Sequence, residues 1–299
     1  MSLYPHISYE HGDFSIFLMG NSNTGKTTLF NELTGSREQV GERSGMTLEL
    51  CRETFSFQGK SRVWVADMPG LYSMSVRSAD EEVVLSAFLD QTPDVIVNVV
   101  DASHLEQNLY LTLQLLEMRI PMLMVLKMED LAQKTGIQLD LRQLATRLGI
   151  PILTSDRKNG LHTETIKQKI VDVYQTGATS LTSTSGYWKI RQLARTILAM
   201  EKILAEELYH HVGHDSVHFS IEGMAVRFLE KDTFFIQKIL EKYPFLREVE
   251  GEIDRKIALL EKDLGEASEI IIAENRYQGI TEICKQCRKQ PGTSRIWPF

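Results

Sequence analysis

One octapeptide limits what this chain can fold into. Gly20-Asn21-Ser22-Asn23-Thr24-Gly25-Lys26-Thr27 carries a glycine at its start, a second just before its end, and closes on Lys-Thr. It follows Phe14–Met19, an apolar run that reads as a strand, and leads into a helix predicted from about Lys26 to Thr34. A glycine-bounded loop between strand and helix can curl so that its N–H groups point inward and cradle an anion. The helix behind it offers its positive N-terminus to the same anion. Residues Gly20 to Thr28 are therefore candidates to hold the phosphates of a nucleotide. Lys26 would bridge the β- and γ-phosphates, and Thr27 would give its hydroxyl to magnesium.

The rest of the first half has the alternating grammar of an α/β sheet. Leu48–Phe57 and Arg62–Ala66 read as an antiparallel pair joined by a turn at Gln58–Gly59. Asp94–Val100, Pro121–Leu126 and Ile150–Leu153 read as further strands. Helices are predicted at Ser78–Leu89, Leu105–Met118, Leu139–Leu148 and Thr163–Tyr174. The fold expected is a Ras-like P-loop GTPase with a six-stranded, mostly parallel sheet, followed by a small all-helical domain. Strand signals stop after the small-residue stretch TGATSLTSTSG, which reads as a linker. Helical spacing then recurs over Trp188–Glu207, Ile221–Phe228, Thr233–Glu241, Phe245–Leu264 and Ala267–Lys289. The expected divisions are an N-terminal segment 1–13, a nucleotide-binding domain 14–175, a linker 176–186, a helical domain 187–289 and a tail 290–299.

Length and charge narrow the choice. At 299 residues there is room for one α/β domain and a smaller companion. A net charge of -7 argues against nucleic acid as a partner. Apolar runs such as Pro121–Leu126 fall far short of the ~20 residues that cross a bilayer, and the first residues carry no secretion signal. Three cysteines are too few for a disulfide framework, which fits a reducing cytosol.

Further pieces of a nucleotide site follow in order. Asp67-Met68-Pro69-Gly70 comes directly after a strand, where Asp67 would hold magnesium through a water and the Gly70 N–H would reach the γ-phosphate. Thr47 ends the polar loop 36–47 and is a candidate to close over magnesium and the γ-phosphate in the triphosphate state. Asp130 in Lys127-Met128-Glu129-Asp130 is placed to accept from guanine N1 and its amine, which adenine cannot satisfy. Lys127 stands where GTPases carry asparagine, and as a pure donor it could face only the base O6 or N7. Thr154 and Ser155 begin a short loop suited to backbone contact with the base, although Asp156 puts an acid beside it. Leu71 follows Gly70, where many small GTPases place a glutamine that orients the attacking water, so slow intrinsic turnover is expected.

Elsewhere the blander readings are preferred. His210, His211, His214 and His218 read as a solvated helix end and Cys284-Lys285-Gln286-Cys287 as an unremarkable helical pair. Trp188 and Phe234–Phe235 read as helical-domain core, and Glu81-Glu82 and Glu248–Asp254 as exposed acidic faces.

From Phe14 to about Tyr277 the sequence resembles the cytosolic part of the bacterial ferrous iron transport protein B family. The segments that carry the resemblance are GNSNTGKTTLFN, LTGSREQVG, GMTLE, DMPGLYS, NVVDASHLEQNLYLTLQLL and, in the helical part, Asn275-Arg276-Tyr277. The resemblance implies a potassium-stimulated GTPase using GTP/GDP, Mg²⁺ and K⁺, with a helical domain that passes on the state of the switch loops. Asn23 would help hold K⁺ against the phosphates, making Lys26, Asn23, Thr47 and Gly70 the catalytic set. It also implies a membrane permease as partner, absent from this chain, and a place on the cytoplasmic face of the inner membrane; a homo-oligomer is compatible with it. Ser22 stands where the family usually has proline, and Glu42-Arg43-Ser44 departs from its common Asn-Trp-Pro or Asn-Trp-Ala. Two other classes stay open on the sequence: a free-standing GTPase of ribosome assembly or tRNA modification, and a nucleotide-responsive scaffold with little hydrolysis.

Overall fold

A computed structural model describes residues 13–37, 51–57, 61–76, 79–154, 163–177, 188–213 and 220–288. Thr47, the Gln58–Gly59 turn, Ser155, Asp156, His214, His218, most of the expected linker and the tail lie outside them.

Strands β1 (Phe14–Met19), β2 (Cys51–Phe57), β3 (Ser61–Asp67), β4 (Val95–Asp101), β5 (Met122–Lys127) and β6 (Ile152–Thr154) form one sheet in the order β2-β3-β1-β4-β5-β6. β2 is antiparallel to β3, with Phe55 opposite Val63; the other pairings are parallel. Every residue of β1 and β4 is buried, as expected of central parallel strands covered on both faces.

Helices α1 (Lys26–Thr34), α2 (Ala79–Asp90), α3 (Leu105–Glu117), α4 (Glu129–Lys134), α5 (Leu141–Leu148) and α6 (Thr163–Thr176) flank the sheet. The alternation along β1 shows how the two faces are filled. Phe14, Ile16 and Leu18 belong to one apolar cluster with Leu29, Phe30 and Leu33 of α1 and Ile166 and Ile170 of α6. Phe17 and Met19 belong to the other, with Phe88 of α2 and Leu109 and Leu113 of α3.

That second cluster continues without a break into the helical part, through Met224, Leu246, Ile272 and Ile280. The helical part comprises α7 (Arg191–Val212), α8 (Ile221–Leu229), α9 (Thr233–Lys242), α10 (Glu250–Leu264) and α11 (Ser268–Cys287). α7 runs past the expected end through His210 and His211, and His211 stacks on Phe245 at 4.3 Å between ring centres. Among the described residues no group of His, Cys, Asp and Glu is arranged to hold a metal ion. Cys284 and Cys287 are buried, and burial pushes the Cys284 thiol up to about 11, so neither is a poised nucleophile. No helix among the described residues is long and apolar enough to cross a membrane.

The helical part docks on α3 through buried charges. Glu117, at the end of α3, accepts from Arg276 Nε at 2.8 Å and from Arg276 Nη2 at 2.7 Å. Arg227 Nη2 lies 3.5 Å from the same carboxylate, and Glu230 pairs with both arginines. The side chains of Glu117, Arg227 and Arg276 are fully buried and that of Glu230 nearly so, giving two negative and two positive charges in one dry cluster. Close packing accompanies it: a Cβ on Gly223 of α8 would sit 3.0 Å from the Glu117 carbonyl oxygen.

Candidate functional site

β1 lies between β3 and β4, so the chain leaves its carboxyl end where the strand order reverses direction. Open α/β sheets form their binding crevice at such a point. The loop Gly20–Gly25 sits there, and its backbone is bent at Gly20 (φ 149°), Asn23 (φ 63°) and Gly25 (φ 91°). Gly20 is required twice, because a Cβ there would also run into the carbonyl oxygen of Val99 in β4.

Inside the loop, Lys26 folds back so that Nζ donates to the carbonyls of Asn21 at 2.6 Å and Gly20 at 3.0 Å. Burial lowers its pKa to about 8, partly opposed by Asp67. Thr24 caps the same turn, its hydroxyl donating to the Asn21 carbonyl at 3.0 Å. The Asn21 side chain is buried, and neither end of its carboxamide has a hydrogen-bond partner among the described residues. Asn23 is exposed at the loop's tip, while Ser22, Thr27 and Thr28 are half-buried.

The Asp67–Gly70 segment meets this loop directly. Thr27 Oγ1 donates to Asp67 Oδ2 at 2.8 Å, which brings a hydroxyl and a carboxylate together at the first turn of α1. Oxygen donors of this kind suit a hard cation such as magnesium. Gly70 packs on the loop so closely that a Cβ would lie 2.7 Å from both the backbone N and Cα of Ser22. The Leu71 N–H donates to the Gly20 carbonyl at 3.1 Å, while its side chain is buried in the core. Leu71 thus supplies a backbone strut and leaves no polar group to orient water.

The base-side residues are more loosely gathered. Lys127 ends β5, runs its stem along Gly25 with carbons 3.7 to 3.9 Å from where a Cβ would be, and brings Nζ within 3.5 Å of Glu32. Its charge is therefore shared with α1. Met128 follows with a left-handed φ of 60°, turning the chain into α4 and leaving Asp130 exposed in the first turn of that helix. Thr154 closes β6 and is half-buried. Asp101, opposite Lys127 across β4 and β5, was not anticipated as part of this rim. It accepts from Ser103 and faces His104, and although burial opposes it, these bonds hold its carboxyl below the usual range.

The strand order, the loop after β1, and the Asp67–Gly70 turn define a Ras-like P-loop GTPase fold, here carrying a helical domain behind it. Family models match both parts: one described as ferrous iron transport protein B over residues 14–170, and one described as the FeoB cytosolic helical domain over residues 191–289. The chain belongs to the ferrous iron transport protein B family. The Fe(2+) transporter FeoB of Escherichia coli (strain K12) is 34% identical over 274 residues, covering 90% of this chain and 33% of the relative. The transporter of Salmonella typhimurium is 32% identical over the same coverage. The chain thus spans about a third of the length of these curated relatives. Among solved structures, S. thermophilus NFeoB bound to GDP.AlF4- and K+ is similar at 29% identity and a TM-score of 0.71, over 91% of this chain and 99% of that one. The apo cytosolic domain of the T. maritima transporter gives 26% identity and a TM-score of 0.69, over 93% and 100%.

Proposed function

We propose that this chain binds a guanine nucleotide with magnesium and hydrolyses GTP slowly, as the switch portion of a ferrous iron transporter. The observation that carries the reading is the meeting of Lys26, Thr27 and Asp67 at one end of the phosphate loop. Lys26 is parked on carbonyl oxygens of its own loop, and phosphate oxygens are stronger acceptors for an ammonium. The orphaned Asn21 carboxamide fits a polar occupant of the same loop.

Each residue has a task in this account. Backbone N–H groups from Gly20 to Thr28 and the N-terminus of α1 bind the β-phosphate, and Lys26 spans it and the γ-phosphate. Thr27, Asp67 and Thr47 would hold magnesium, which when bound neutralises charge on the phosphate oxygens. Gly70, already seated on Ser22, offers its N–H to the γ-phosphate and so reports whether that group is present. Asp130 reads the guanine edge, with Thr154 and Ser155 beside the base and Lys127, at the end of β5, lying along Gly25. Leu71, turned into the core, cannot orient the attacking water, and added positive charge at the transition state is assigned to a potassium ion that Asn23 would hold. That role is supported by the S. thermophilus relative, whose structure contains GDP.AlF4- and K+.

The partner proposed for this chain is a membrane permease that would move iron. We place this chain at the cytoplasmic face of the bacterial inner membrane, beside that permease, a position that its family membership supports. We also propose a division near residues 176–186 into a nucleotide-binding and a helical unit, supported by separate family-model matches over residues 14–170 and 191–289. Family membership and the charge of -7 favour this reading over an RNA-acting GTPase. Titration with fluorescent GDP, GTP and ATP tests it. Wild-type protein should bind the guanine nucleotides in preference to ATP, and Lys26→Ala should bind none; undiminished binding by the variant would remove the assigned site.

A further inference from the structure

The Asp67–Gly70 turn is tied down at two points. Leu71 N–H donates to Gly20 in the phosphate loop, and three residues on Met74 N–H donates to the side-chain oxygen of Gln114 at 2.8 Å. Gln114 belongs to α3 and is 1% exposed. A buried carboxamide is costly unless bonded, and Gln114 meets that cost with the Met74 amide. One helical turn further on, Glu117 grips Arg276 of the helical domain with two bonds. The Gln114 carboxamide also lies against Glu230, where it favours the ionised carboxylate. Two residues past the end of α3, Arg119 has a left-handed φ of 53° and pairs with Glu222 of α8. Glu222 in turn accepts from Trp188 Nε1 at 3.2 Å.

We infer that Gln114 is a positioning residue that fixes the segment after Gly70 to the buried charges docking the helical domain, so that a shift of Gly70 is passed to α8 and α11. The side chain touches no nucleotide and acts through the Met74 amide. Adjacent positions of one rigid helix carry the two contacts: Gln114 holds the loop and Glu117 holds the helical domain. The inference rests on the proposed GTPase reading for its functional side, while the tie itself does not need a nucleotide.

The test uses the full chain with Trp64 and Trp297 replaced by phenylalanine, so that Trp188 reports on the interface. Gln114→Met keeps the length and removes the acceptor; Gln114→Glu keeps an acceptor for Met74. In Gln114→Met the Met74 amide should exchange with deuterium about tenfold faster, the effect of losing one buried hydrogen bond. Its kcat for GTP should fall while KM stays within about twofold, and Trp188 emission should no longer differ between GDP and GMPPNP. Gln114→Glu, kept protonated by burial beside Glu230, should still accept from Met74 and retain slow exchange there, which a general loss of packing would not allow. Glu230→Gln should keep slow Met74 exchange and lose the Trp188 response. Unchanged kcat and an intact Trp188 response in Gln114→Met would overturn the inference and leave the GTPase reading standing. If wild-type protein binds no GTP, the GTPase reading falls, and wild-type exchange at Met74 in Gln114→Met would overturn the tie by itself.

Discussion

Replacing Arg276 by methionine removes the centre of the cluster that joins the two parts of the molecule. The guanidinium makes two bonds to Glu117, at 2.8 and 2.7 Å, and a third to Glu230. It also lies over the Tyr110 ring, 5.6 Å from the centroid. The bidentate geometry needs Glu117 ionised, although burial pushes its carboxyl up against the pull of Arg276 and Arg227. Glu230 is buried too, and the two arginines hold it below the usual carboxylate range. With Arg276 gone, two carboxylates face Arg227 alone and one negative charge is left without compensation in a dry site. Breaking a buried pair in this way costs about 3–5 kcal/mol, which corresponds to a fall in Tm of roughly 5–8 °C for a chain of this size. Thermal unfolding followed by circular dichroism at pH 7 measures it. Adding Glu117→Gln removes the excess charge and leaves Arg227 opposite Glu230, so the double variant should recover about 1–3 kcal/mol relative to additivity. A loss below about 1 kcal/mol in Arg276→Met, or strict additivity in the double variant, would refute the account of the cluster.

Two further outcomes follow from the loop geometry. Lys26 titrates near 8 in the nucleotide-free protein because burial disfavours its charge, and an unfolded chain binds that proton up to the ordinary 10.5. The nucleotide-free fold therefore gains stability as pH rises from about 8 to 10.5, whereas phosphate binding needs the charged form. Above pH 8 nucleotide binding should take up a proton and weaken by up to about tenfold per unit, which calorimetry in buffers of different ionisation enthalpy detects as net proton uptake; no uptake at pH 8.5 would contradict it. Gly70→Ala would bring a methyl group against the backbone of Ser22, which has no flexible end to yield. It should cut GTP turnover at least ~100-fold while GDP affinity changes less than about threefold, and near-normal turnover would mean that Gly70 does not close on the γ-phosphate.

How far the sequence could be read depended on whether a residue's task was local. The loop Gly20–Thr27, the turn at Asp67–Gly70 and the buried strands announce themselves through glycine spacing and apolar runs, and the sheet and its antiparallel edge follow from them. The helix from Lys26 to Thr34 was legible to the residue. The short helix Glu129–Lys134 was not anticipated, because six residues entered through a left-handed Met128 show no period. The buried charges were harder, since a glutamate or arginine at helical spacing ordinarily faces water. Glu117 in LQLLEM and Arg227 in MAVRFL did carry a signal, a single charge set within an apolar run. Their partner Arg276 lies far away in sequence, so only the packed structure brings them together. That a leucine and not a water-orienting glutamine follows Gly70 is visible at once in the sequence, but its burial and its backbone bond to Gly20 are not.

Phosphate release from GTP in equal concentrations of KCl and NaCl tests most directly whether a cation held at Asn23 assists slow hydrolysis. Wild-type protein should turn over several-fold faster in KCl, and Asn23→Ala should abolish the difference while still binding GDP. Equal slow rates in both salts, unchanged in Asn23→Ala, would contradict the cation mechanism and leave a partner to supply the missing positive charge.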